Sequence, residues 1–111
     1  MPTIMQDVIL RYPPRELSPL ERELIDEWLA LAADISGAYV SGRKADDPAL
    51  YRRIVITDSS GGHPTHLIHC PERLRLWIKM TLGPYQRVEM FDTLQAALNS
   101  IRSVLSDGRV L

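Results

Sequence analysis

Residues 74–82 read LRLWIKMTL and alternate between two rows of side chains. One row is aliphatic and the other mixes cations with one indole: Leu74, Leu76, Ile78, Met80 and Leu82 against Arg75, Trp77, Lys79 and Thr81. Successive side chains of a β-strand point to opposite faces of a sheet, so this period of two predicts a strand. Such alternation is typical of antiparallel sheets with one covered face and one face in water. We therefore expect the aliphatic row to face the core and Trp77 to face solvent.

The residues after this strand predict a hairpin. A three-residue loop at 83–85 (GPY) keeps side chains of like preference opposite one another across the two strands. It predicts four cross-strand pairs, namely Met80 with Val88, Ile78 with Met90, Lys79 with Glu89 and Trp77 with Phe91. The first two pairs would lie on the core side. The last two would lie on the solvent side, so Phe91 is expected outside the main core.

Two helices are predicted to flank the sheet. Ser18, Pro19 and Glu21 form a capping box with proline at the first helical position, and an apolar stripe continues to Ile35, ahead of a stop at Gly37. Residues 92–95 (DTLQ) predict a second capping box, followed by an apolar stripe that reaches residue 105. Between the helices, residues 50–58 and 64–70 have the β-branched composition and the turn signals of further strands.

These elements predict an α+β fold: a two-layer sandwich whose antiparallel sheet has four to five strands, in the order α-β-β-β-β-β-α. An N-terminal and a C-terminal helix would pack on one face of the sheet. The 111 residues are expected to form a single domain, with an arm and Pro-rich linker at 1–17, the α+β core at 18–105 and a tail at 106–111. Whether residues 3–10 join the sheet is left open by the pattern.

Composition narrows the class of protein. Hydrophobic residues make up 45% and charged residues 24%, which are globular proportions that argue against disorder. The longest uncharged stretch, 59–71, is too short to cross a bilayer, and the first residues lack the basic start of a signal peptide. The single cysteine, Cys70, favours a reducing compartment, so we expect a cytoplasmic protein without membrane contact. The net charge of −1 makes nucleic acid an unfavoured partner.

One segment carries residue types that bind metals. His63, His66, His69 and Cys70 lie within eight residues. On a strand His63 and His69 would share one face and His66 and Cys70 the other, with the latter two roughly 13 Å apart. One ion could not then bind both, so a metal site is an alternative hypothesis that needs a ligand from elsewhere. Partly buried histidines and an inert buried thiol are the simpler interpretation, and no cofactor is expected.

No set of residues converges on a catalytic pattern, so the sequence favours a small non-enzymatic interaction or regulatory protein. The expected binding surface is the open sheet face, where an aromatic is flanked by cations: Arg75, Trp77, Lys79 and Phe91. Its partner would be another protein or a second copy, giving a homodimer. Metal binding through 63–70 is one alternative. Weak nucleic-acid binding through the basic sheet face, with Arg53 and Arg87 added, is another.

Overall fold

The architecture is seen in a computed structural model that describes residues 14–40, 52–58, 63–72 and 74–106. The stretch 3–10, with its open sheet assignment, and the tail from 107 onward lie outside the described residues. The elements are α1 (Pro19–Leu31), β1 (Ile35–Val40), β2 (Ile54–Asp58), β3 (Pro64–His69), β4 (Trp77–Thr81), β5 (Arg87–Phe91) and α2 (Leu94–Asn99). The predicted α+β order with five strands between two helices is confirmed.

The five strands form one antiparallel sheet in which neighbours in sequence are neighbours in space, in the order β1-β2-β3-β4-β5. Consecutive antiparallel pairing needs only short connections, which suits a chain of this length. Two irregularities interrupt the ladders, one in β1 between Ile35 and Gly37 and one where β2 passes from Ile56 to Thr57. The β4–β5 ladder is regular across all five of its pairs.

Helix α1 begins as its sequence predicts. The Ser18 hydroxyl accepts a hydrogen bond from the Glu21 N–H at 3.2 Å, and the Glu21 carboxylate accepts one from the Ser18 N–H at 2.8 Å. Arg15 adds two contacts to the same carboxylate, of 2.8 and 2.7 Å. Burial opposes the charge of Glu21, but the bonds from Arg15 and Ser18 outweigh it and hold the pKa of Glu21 below its usual value. The capping box is therefore confirmed and reinforced by Arg15.

Both helices end earlier than their apolar stripes predict. Helix α1 stops at Leu31, and the Ile35 N–H bonds the Ala32 carbonyl in a tight turn that leads directly into β1. Helix α2 starts from Thr93 instead of Asp92 and stops at Asn99, whose side-chain amide exchanges two hydrogen bonds with the Leu105 backbone, of 2.8 and 3.0 Å. These bonds hold the last described residues against the core in a non-helical conformation.

The register of the hairpin is confirmed, but the face assigned to each row is wrong. All four predicted pairs, including Trp77 opposite Phe91, occur in the structure. However, Trp77 is only 4% exposed and belongs to the core cluster that the helices cover, together with Trp28 and Leu98. The aliphatic row, represented by Ile78 and Met80, points to the other side of the sheet.

The reason for this inversion is that the centre of the sheet is buried on both faces. Ile54, Val55 and Ile56 are consecutive in β2 and all are fully buried, although their side chains must alternate between faces. Ile54 and Ile56 join the helix-covered cluster, whereas Val55 does not. With both faces apolar at the centre, alternation fixes which residues share a face but not which face meets the helices. The indole of Trp77 and the ring of Phe91 fill the helix side.

Candidate functional site

The residues expected to form a solvent-facing patch do not form one. Trp77 is buried, and the Arg15 guanidinium stacks over its ring at 5.0 Å from the centroid. Such stacking is an intramolecular cation–π interaction. Arg15 also bonds Glu21, which raises the pKa of the guanidinium and keeps it charged. Trp77 is therefore part of the core. Through Arg15, which contacts both the indole and Glu21, it is also linked to the start of α1.

Lys79 lies on the same helix-covered side and is also buried. Its Nζ donates a hydrogen bond to Ser100 Oγ at 2.9 Å and forms an ion pair with Glu89 Oε1 at 3.1 Å. It also lies 5.6 Å from the centroid of the Phe91 ring, which is half-buried against the core. The predicted Lys79–Glu89 pair is confirmed, but it lies beside α2 rather than in water. A buried ammonium needs such partners, because its desolvation is otherwise costly.

Of the cations assigned to the basic sheet face, Arg75 and Arg87 are exposed, whereas Arg53 and Lys79 are buried. Phosphates are bound by cations that can reach them from solvent, and the release of counterions supplies the affinity. Two separated arginines do not make such a surface. Within the described part of the chain, the cations assigned to this face therefore do not form a phosphate-binding surface.

The histidine segment does not gather into a metal site. Alternation along β3 puts His66 and Cys70 on one side of the sheet and His69 on the other, as predicted, while His63 is exposed ahead of the strand. Among the described residues, no three side chains of the His, Cys, Asp or Glu types come close enough to hold an ion. The metal alternative through these residues is thus unsupported by the geometry.

Each member of that segment has a structural explanation. Cys70 is buried, and its thiol points at the Leu74 carbonyl with a sulfur–oxygen distance of 3.5 Å. His66 Nδ1 lies 2.9 Å from the Thr65 hydroxyl. Burial lowers the pKa of His66, and the positive charges of Lys79 and Arg102 lower it further. The expected buried thiol and partly buried imidazole are confirmed.

His69 is the most deeply buried of the three histidines. It is 3% exposed on the face away from the helices, and its Nε2 atom has no hydrogen-bond partner. Burial, together with the positive charge of the buried Arg53, lowers its pKa to about 3. His69 is therefore neutral near neutral pH and contributes to folding as an aromatic side chain of the interior.

Among the side chains that the structure describes, the most exposed apolar surface of the sheet lies on the β4–β5 hairpin. Met80 and Val88 are directly opposite each other, and Met90 is opposite the fully buried Ile78. All of them point away from the helices. Met80 and Val88 are half-buried and Met90 is 43% exposed. We call Met80, Val88 and Met90 the hairpin patch.

The sequence contained a signal for this arrangement. Three consecutive β-branched aliphatics in β2, residues 54–56, indicate burial on both faces, because one-sided burial produces alternation. Because the centre of the sheet is buried on both faces, exposed apolar side chains are expected toward its edges. β5 is one of the two edge strands of the sheet, and it carries two of the three patch residues, Val88 and Met90.

No family model matches the chain, and neither a curated protein nor a solved structure matches it. Within the described ranges, neither helix has the length and apolar character that a membrane span requires.

Proposed function

We propose that this protein is a small non-enzymatic interaction protein that binds another protein, or a second copy of itself, through the hairpin patch. The observation that supports this most directly is Met90, a large apolar side chain left 43% exposed on the sheet face that the helices do not cover. Met80 and Val88 extend the same apolar surface across two strands. Contiguous exposed apolar surface marks interaction sites more often than single exposed residues do.

The chemistry of the patch suits protein–protein contact. Methionine is unbranched and polarizable, so two methionines can adapt to the shape of an apolar partner. Exposed polar residues border the patch at the end of the hairpin, where Gln86 and Arg87 precede Val88 in the chain. An apolar centre within a polar rim is the general plan of protein interfaces. We place this activity in the cytoplasm, and the single free thiol, Cys70, supports a reducing compartment.

The test compares two substitutions that introduce the same charge on different faces. Met90→Asp places a carboxylate in the patch, whereas Leu20→Asp places one on α1, where Leu20 is 61% exposed in the helix layer. Light scattering and native mass spectrometry of untagged protein give the mass of the wild type and of each variant, and the same preparations show which proteins accompany them.

We expect the wild type to be heavier than one chain, or to carry a defined protein partner. Met90→Asp should lose that association while Leu20→Asp keeps it, with both variants retaining the wild-type circular dichroism. A wild type that stays a monomer without a partner across the whole concentration range would contradict the proposal. Equal association in the wild type and Met90→Asp would contradict it as well.

A further inference from the structure

The edge strand β5, which carries Val88 and Met90 of the patch, has features that favour one kind of partner. We propose that a second copy of this chain adds to the sheet at β5, antiparallel and with the two-fold axis at Val88. The five strands of each copy would then form one continuous sheet of ten. This inference rests on the proposed function and deepens it, because it names the partner and the mode of contact.

The two edges of the sheet differ in their fitness for strand addition. An edge strand presents unpaired N–H and C=O groups that can pair with another chain, and a β-bulge is one of the devices that disrupt such pairing. At β1 the register shifts between Ile35 and Gly37. At β5 all five residues keep a regular ladder with β4, so no bulge interrupts this strand. β5 is thus the edge better suited to receive a strand.

The side chains of β5 are complementary to themselves in one register. With the axis at Val88, the opposing pairs are Val88 with Val88, Arg87 with Glu89 and, one residue ahead of the strand, Gln86 with Met90. The charged pair occurs twice by symmetry, as in every isologous contact. Opposite charges directly across an antiparallel ladder are stabilising.

Neighbouring registers lose this complementarity. An axis at Glu89 sets the two Glu89 carboxylates opposite each other, and an axis at Arg87 does the same with two guanidinium groups. Like charges in that position are destabilising. An axis between two residues would place Val88 beside Glu89 and mix the apolar and charged faces. Among the registers centred from Arg87 to Glu89, the Val88 axis is the one that satisfies both charge and face.

The side chains of Arg87 and Glu89 keep exposed area with which to make the new contacts. The Arg87 side chain is 76% exposed, and its Nε lies 3.9 Å from Glu89 Oε1 within the same chain, at the outer limit of an ion pair. Glu89 also holds Lys79, so one oxygen is engaged inside the fold while the carboxylate remains partly exposed. The same axis brings the hairpin patches of both copies together on one face, which doubles the apolar surface.

Cysteine cross-linking tests the register directly. At the axis, the two Val88 Cα atoms would lie roughly 4.5–5.5 Å apart, which a disulfide spans. The two Met90 Cα atoms would lie roughly 13 Å apart, which it does not span. The native Cys70 is buried. Under mild oxidation of folded protein, Val88→Cys should give a covalent dimer, whereas Met90→Cys and the wild type should not.

A pair of variants supplies the complementary measurement. Gln86→Cys and Met90→Cys, mixed before oxidation, should give a mixed dimer because these positions oppose each other in the proposed register.

Arg87→Glu replaces two attractive contacts with two repulsive ones, so the dimer dissociation constant should rise by at least about tenfold. Arg87 is exposed, so this variant should keep its fold.

The outcomes separate this inference from the proposed function. Association that depends on Met90 but gives no covalent dimer with Val88→Cys overturns the β5 pairing and leaves the hairpin patch as the binding surface. Equal cross-linking of Val88→Cys and Met90→Cys also overturns the register. A protein that neither associates with itself nor binds a partner overturns both.

Discussion

The burial of His69 makes the stability of this protein sensitive to mild acid. Its pKa is about 3 in the folded protein against 6.5 when unperturbed, and the causes are burial first and the charge of Arg53 second. Below pH 6.5 the unfolded chain therefore binds a proton that the folded chain does not. Stability from the neutral imidazole is fully present above that pH and is lost progressively as the pH falls toward 3.

The size of the effect follows from the linkage between protonation and folding. Each pH unit between the two pKa values costs about 1.4 kcal/mol of unfolding free energy for one group. At pH 5 the predicted loss from His69 is therefore about 2 kcal/mol, of the same order as the effect of a typical destabilising mutation. Half-buried His66, whose pKa is also lowered, acts in the same direction.

Urea unfolding of the wild type and His69→Leu at pH 7.5, 6 and 5 measures this contribution. Other acid-sensitive groups, such as Glu21 and His66, are present in both proteins and cancel in the difference. The wild type should lose about 2 kcal/mol more than His69→Leu between pH 7.5 and 5. His63→Leu, at an exposed position, should behave like the wild type. Parallel pH profiles for the wild type and His69→Leu would refute the burial of His69.

Three further substitutions test the packing, each measured as unfolding free energy at pH 7.5 with Tyr85→Ala, at an exposed loop position, as the neutral control. Trp77→Ala should cost about 3–5 kcal/mol, since it empties a core position, whereas a solvent-facing indole would cost little. Ser18→Ala should cost about 1 kcal/mol by removing the cap of α1. Asn99→Ala should cost about 1–3 kcal/mol and expose the Leu105 amide to hydrogen exchange, because both of its backbone bonds are lost.

Local patterns in the sequence predicted the elements well because local chemistry determines them. The Ser18–Glu21 capping box needs only residues within one turn, and it forms as expected. The register of β4 against β5 follows from matching side chains across a short loop, and it was also predicted correctly. The order of helices and strands required only the change of hydrophobic period along the chain.

The orientation of the sheet was not predictable from the same pattern. Alternation shows that Trp77 and Lys79 share a face, but only packing decides whether that face meets helices or water. The sequence-based expectation treated Lys79 as a marker of solvent. In the structure Glu89 forms an ion pair with Lys79, and Ser100 accepts a hydrogen bond from it. A charged residue therefore lies on the helix-covered side. These contacts span ten and twenty-one residues, beyond the reach of a local pattern.

The ends of the helices were missed for a related reason. Ile35 fits the apolar stripe of α1 but belongs to β1, and the residues after Asn99 fit the stripe of α2 but are not helical. In both places the apolar side chains still pack into the core. Periodicity therefore identified which residues are buried and overestimated how long the backbone stays helical, because side-chain amides and tight turns compete with the last helical bonds.

Hydroxyl-radical labelling resolved by peptide mass spectrometry tests the assignment of the two faces of the β4–β5 hairpin most directly. Methionine and tryptophan both react readily when water reaches them, so Met90 and Trp77 report on opposite sides of the same ladder. In dilute protein Met90 should be oxidised rapidly, should become protected as association increases, and Trp77 should remain unmodified throughout. Modification of Trp77 ahead of Met90 in the folded protein would contradict the assignment.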